Sequence, residues 1–155
     1  MRLSTKTRYG LRALFDIAYN SGNLPTQIQD ISRRQSISPR YLEQIFQSLK
    51  KGGILKSKRG PRGGYFLARG IGDITVLDIL TATEGEMDII DCSSDGKRKK
   101  PVSEFDGGVV TQSVWREASA RLKESLAAIT IKTLCERGQT MGVKREQDHR
   151  FLYYI

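Results

Sequence analysis

Seven consecutive residues, Ser38-Pro39-Arg40-Tyr41-Leu42-Glu43-Gln44, place a hydroxyl, a guanidinium, a phenol, a carboxylate and an amide within two helical turns. Gln bonds an adenine edge bidentately, and Glu accepts from a cytosine amine or repels wrong sites. Ser, Arg and Tyr reach phosphates, base edges or a thymine methyl. A second group, Lys58, Arg59 and Arg62, lies in the run Lys58-Arg59-Gly60-Pro61-Arg62-Gly63-Gly64. Cations at such a Gly/Pro tip suit a narrow, electronegative groove. The alternative is a cradle for a nucleotide phosphate, but the run lacks the Lys-Ser/Thr of a P-loop and does not open a helix. Enzyme chemistry has little to work with. The single His, His149, stands near the chain end, and carboxylate pairs such as Asp88 with Asp91 have no apparent pocket. The sequence reads as a non-enzyme.

The elements that must hold these groups are legible from periodicity. Tyr9, Leu11, Leu14, Phe15 and Ala18 recur at helical spacing over Ser4 to Gly22, with Ser4 or Thr5 as cap. Thr26, with Gln29 three residues on, reads as a capping box opening a short helix that stops near Arg34. Ser38 as N-cap with Pro39 at the first helical position opens a third helix, burying Leu42, Ile45, Phe46 and Leu49 and ending at Gly52-Gly53. Tyr41 and Gln44 are expected on the opposite face, beside Arg40 and Ser48. Two β-prone runs, Ile54 to Ser57 and Tyr65 to Leu67, flank the basic loop as a hairpin. A helix-turn-helix followed by a basic hairpin is the order of a winged helix, whose second helix enters the DNA major groove.

Charge agrees with that order. The 155 residues carry a net charge of +9. Residues 1–65 hold 13 Lys and Arg against three acids, and residues 66–155 hold 13 against 14. A net of +10 confined to one segment points to a dedicated polyanion-binding unit beside a nearly neutral one. An RNA-binding module fits the charge but not the order of elements. A 38% hydrophobic content excludes a mostly disordered chain. No apolar run approaches the ~20 residues of a membrane helix, and no secretory signal is read at the start. Two cysteines, Cys92 and Cys135, make no disulfide framework, so a cytoplasmic location is expected.

In the neutral half, Thr75 caps a helix to Thr83, with Asp78 at the box position. Glu84 to Gly108 reads as an exposed loop containing the Lys97-Arg98-Lys99-Lys100 run. Trp115, Ala118, Leu122, Leu126 and Ile129 follow a nearly heptad stripe on a helix from Ser113 to Ala128. That stripe suits dimerisation, and the other reading is an intramolecular core helix. A short helix covers Thr130 to Arg137, and a polar tail ends in Phe151-Leu152-Tyr153-Tyr154-Ile155.

Ser4-Thr5-Lys6-Thr7-Arg8-Tyr9-Gly10, Ile37 to Phe46 and Arg59-Gly60-Pro61-Arg62-Gly63-Gly64-Tyr65 resemble the IscR/NsrR/CymR-type family of bacterial winged-helix regulators. The resemblance is specific from Met1 to about Glu84 and continues as pattern beyond. It implies a mainly α fold with a small β-hairpin: a winged helix-turn-helix at 1–84, an exposed loop at 85–109, a dimerisation helix and short helix at 110–138, and a tail at 139–155. It implies a homodimeric repressor on a palindromic double-stranded operator. The segment from Ser38 to Gln44 would read the major groove and Arg59 would enter the minor groove, with Lys58, Arg62, Thr5 and Lys6 in the same DNA-binding set.

Many members bind an iron–sulfur cluster through three close cysteines in the loop. Here Cys92 stands at the first ligand position, Arg98 and Glu104 follow it, and position 8, an acid ligand in one branch, is Arg8. No cofactor is expected, and Cys92 is the one candidate metal ligand in the loop. A thiol-redox or cluster-sensing regulator of the same family is the alternative. The ending Tyr153-Tyr154-Ile155 is similar to that of CymR, a cysteine-metabolism repressor that works with cysteine synthase. That similarity implies cysteine synthase as a partner for the tail, and docking of the tail on the protein itself is the other reading.

Overall fold

A computed structural model describes residues 3–85 and 107–146. Six helices and one antiparallel hairpin follow in the order α1 (Thr5–Ser21), α2 (Ile28–Gln35), α3 (Pro39–Lys51), β1 (Leu55–Lys58), β2 (Gly64–Leu67), α4 (Val76–Glu84), α5 (Gly108–Ala128) and α6 (Ile131–Thr140). The fold is mainly α with a small β-hairpin, as the sequence indicates. The readings of Cys92, the tetrabasic run and Tyr153, Tyr154 and Ile155 fall outside the described residues.

The helix at the centre is α1, which packs against α2, α3, α4, α6 and β2. Ala13, Leu14 and Ile17 are fully buried beside Leu42, Ile45, Phe46 and Leu49 of α3 and Ile79 of α4. From the C-terminal part, α6 adds Ile131 and Cys135 to this same core. At Gly138, a Cβ would come within 2.9 Å of the Phe15 ring, so the glycine lets α6 approach α1. Backbone hydrogen bonds from Val76 N–H to the Ile129 carbonyl and from Ile131 N–H to the Ile74 carbonyl, both 2.9 Å, bring the starts of α4 and α6 together.

The caps follow local chemistry, with one exception. Ser4, Ser38, Thr75 and Thr130 each accept from a backbone N–H three residues on. Thr75 and Asp78 complete the expected reciprocal box. Thr26 does not cap α2. Its N–H and carbonyl pair with Tyr65 at 2.8 Å each, so α2 begins later, after Gln27, without a side-chain cap. Long-range strand pairing has taken the residue that the local motif assigned to the helix.

The α2–α3 turn passes through Ser36 at φ 54°, ψ 46°, a left-handed conformation unfavourable for a residue with a Cβ. Ser36→Gly is therefore expected to raise stability by about 0.5–1 kcal/mol, read as a shifted urea midpoint with unchanged slope.

The N-terminal turn of α1 is fastened to the end of α4. Ser4 and Thr7 hydroxyls both donate to Glu84 Oε1, and Thr7 Oγ1 lies 2.7 Å from the Thr83 hydroxyl. Burial alone would raise the Glu84 carboxyl, but the Ser4 and Thr7 hydrogen bonds and the Lys6 charge hold it below its ordinary value. A carboxyl depressed on folding stabilises fully above its unfolded value, about 4.5, and loses that contribution as pH falls through the lower folded value. Acid unfolding of Glu84→Gln should therefore be shallower than wild type below pH 4.5, with the difference vanishing at the lowest pH.

Candidate nucleic-acid interface

The third helix divides sharply. Leu42, Ile45, Phe46 and Leu49 are buried, whereas Ser38, Arg40, Glu43, Gln44 and Gln47 are exposed. The Ser38 Oγ accepts from Tyr41 N–H at 3.3 Å, which fixes where the helix starts and still leaves the hydroxyl proton to donate. Tyr41 departs from the sequence reading. Its ring is half-buried, packed edge-on against Tyr9 at 6.0 Å, because position 41 lies at the margin between the two faces. The Arg12 guanidinium lies over the Tyr9 ring, 5.4 Å from its centroid. Sequence reasoning missed Gln47. Its place one turn after Gln44, off the apolar stripe, was the available signal.

The hairpin is built to hold its tip. Leu55 pairs with Leu67, and Lys58 with Gly64. A tight turn closes by Gly63 N–H donating to the Gly60 carbonyl at 2.9 Å. Gln27 Nε2 donates to the Pro61 carbonyl at 3.3 Å, and Lys50 Nζ reaches Ser57 Oγ at 2.8 Å. Tyr65 packs on Phe46 with ring centroids 4.6 Å apart, which joins the hairpin to the buried side of α3. Lys58, Arg59 and Arg62 are exposed at this braced tip. At the other end of the sequence set, Thr5 is exposed and Lys6 half-buried, its charge directed at Glu84.

The long helix α5 inverts the usual arrangement. Its buried residues are the polar Gln112 and Ser119, while Val110 is 69% and Trp115 52% exposed. Ala118, Leu122, Leu126 and Ile129 are half-buried. The helix starts at Gly108, five residues before the expected Ser113, and its main packing partner is α4. Among the described residues, no helix is long and apolar enough to cross a membrane.

A helix-turn-helix with an exposed polar second helix, followed by a basic two-stranded wing, defines a winged-helix DNA-binding transcriptional regulator. The Rrf2 family, described as iron-dependent transcriptional regulators, matches residues 3–137. The chain belongs to the Rrf2 family. The HTH-type transcriptional regulator IscR of Enterobacter sp. (strain 638) is 38% identical over 152 residues, covering 96% of this chain and 89% of its own length. Among solved structures, T. potens IscR is similar with a TM-score of 0.73 and 34% identity, covering 99% of this chain and 97% of that one. CymR, the global cysteine regulator of B. subtilis, aligns with a TM-score of 0.71 and 28% identity over 88% of this chain and 98% of its own. These relatives are named as regulators, not as enzymes.

A family so described raises the question of iron. An iron–sulfur cluster needs about four thiolate or imidazole donors close together. The whole sequence has two cysteines and one histidine. Of these, Cys135 is committed to the α1–α6 core, where burial pushes its thiol up and away from thiolate. Among the described residues, no three His, Cys, Asp or Glu side chains converge to hold a metal. The donor set does not fit a cysteine-ligated cluster.

Proposed function

We propose that this regulator is a homodimeric repressor that occupies a palindromic operator. The observation that carries the reading is the division of α3 into one fully buried apolar face and one exposed polar face, set beside a braced basic wing. Ser38, Arg40, Tyr41, Glu43 and Gln44 meet major-groove edges and phosphates. Lys58, Arg59 and Arg62 enter the adjacent minor groove, and Thr5 and Lys6 lie along the backbone. Dimerisation is supported by the apolar outward face of α5 from Val110 to Trp115, continued by Ala118, Leu122, Leu126 and Ile129. Two copies would set their recognition helices about one DNA turn apart, roughly 34 Å. As a repressor, the bound dimer excludes polymerase.

The C-terminal Tyr153-Tyr154-Ile155, similar to the CymR ending, supports cysteine synthase as a partner in control of cysteine metabolism.

Footprinting is expected to reveal a two-fold symmetric duplex site. Arg59→Ala should weaken binding and reduce the slope of log affinity against log salt by about one. Full affinity with an unchanged slope would refute the role of the wing. Deleting Ile155 should abolish co-purification with cysteine synthase, and an unchanged pull-down would remove that partner from the reading.

A further inference from the structure

After α6, the chain turns at Gly142 (φ 71°) and runs back across α1. Val143 N–H donates to the Gly138 carbonyl at 2.9 Å, and the Val143 carbonyl accepts from Tyr19 Oη at 2.8 Å. The Arg145 guanidinium lies 4.5 Å from the Tyr19 ring centroid. Glu146 N–H donates to Asn20 Oδ1 at 2.8 Å, which aims the Glu146 carboxylate at α2. There Arg33 Nη2 donates to both of its oxygens, at 2.8 and 2.7 Å, and Arg34 Nη1 donates to Oε2 at 2.9 Å.

The contact continues inward. The remaining nitrogens of Arg34 hold the fully buried Asp16, Nη2 at 2.6 Å and Nε at 3.0 Å from both oxygens. Gln35 Nε2 donates to the same carboxylate at 2.8 Å. Thus one guanidinium bridges a buried acid of α1 and an exposed acid of the C-terminal segment. Its hydrogen bonds to Asp16 and Glu146 more than offset the burial that would lower its pKa.

Beyond this grip and the Arg12 guanidinium, which donates to the Gln35 carbonyl at 2.6 Å, the helix has few anchors. It has eight residues, two of them buried and apolar, and no side-chain N-cap. Its end leads through left-handed Ser36 directly to Ser38, the cap of the recognition helix. An exposed ion pair is worth little to global stability. Fixing where a two-turn helix ends is a different matter, since α3 starts four residues later.

We propose that Glu146 is a positioning residue for DNA recognition: the segment 143–146 straps the end of α2 and thereby sets the pose of α3. The inference rests on α3 being the DNA-reading helix. The probe is a duplex of about 30 bp selected in vitro by the wild-type full chain, about three DNA turns. Glu146→Gln should weaken its binding about fivefold, within the range of remote couplings, with an unchanged urea midpoint. Amide exchange should quicken in residues 28–35 and not in α5. Arg33→Gln should behave alike, and the double variant should bind no worse than either single one.

Wild-type affinity of Glu146→Gln, additive losses in the double variant, or weakening matched by an equal loss of global stability would each overturn the proposal. Gln44→Ala separates the two levels. If it binds like wild type, the reading of α3 fails and the strap with it. If it weakens binding and Glu146→Gln does not, the strap alone fails.

Discussion

Arg34→Met is expected to cost about 3–5 kcal/mol, seen as a large fall in urea midpoint. Asp16 has no exposed surface, and Arg34 supplies three of the nitrogen–oxygen contacts to it, at 2.6 to 3.0 Å. Removing the guanidinium leaves Gln35 and Asn20, two neutral amides, facing a buried charge. A small protein has only about 5–15 kcal/mol in total, so this one change removes a large share of it. The double variant Asp16→Asn with Arg34→Met should recover most of the loss, because the charge and its partner disappear together. A loss below about 1 kcal/mol for the single variant would mean that solvent reaches Asp16.

The second large effect is expected at Gly64. Its φ of 144° is strained for any side chain, and a Cβ there would stand 2.3 Å from the Thr26 carbonyl oxygen. Gly64→Ala must therefore break the paired Thr26–Tyr65 hydrogen bonds or push β2 off the body. Backbone strain plus two lost hydrogen bonds comes to about 3 kcal/mol. The consequence extends to DNA binding, because the displaced hairpin carries Arg59 and Arg62. Specific affinity should drop at least about tenfold, with loss of wing-dependent protection in a footprint. Normal affinity in Gly64→Ala would show that the wing does not need this attachment. Gly60→Ala is the informative companion. It is strained at φ 109° but meets open space, so it should cost less on both counts.

Most of the DNA-reading unit was legible because its signals are local. Ser38-Pro39 marks a helix start through capping and ring geometry, and Leu42, Ile45, Phe46 and Leu49 mark a buried face through a 3.6-residue period. Thr75 with Asp78 was equally plain. Most of the failures involve partners distant in sequence. Thr26 looks like a cap until Tyr65 claims its backbone. Tyr41 looks like a surface residue until Tyr9 packs on it. The early start of α5 was hidden locally, because Glu84 to Gly108 reads as an exposed loop and the apolar stripe as beginning after Ser113, though Gly107 stands as the N-cap. Arg33 and Arg34 counted toward the basic excess of the N-terminal part, yet both are engaged by acids, one of them Glu146 from the far end. The polyanion-facing charge is therefore smaller than the raw count for residues 1–65.

The central place of α1 bears on how the chain is made. Its residues leave the ribosome long before those of α6, whose Ile131 and Cys135 complete the same core and whose Gly138 lies against Phe15 and Tyr19. Tyr19 meets its Val143 partner, and Asn20 its Glu146 partner, across separations of 124 and 126 residues. Helix, turn and wing can assemble before α6 is made, but until then one flank of α1 stays open to solvent. The nascent regulator thus carries an uncovered apolar flank until α6 docks, and a partly made chain of this kind is prone to aggregation.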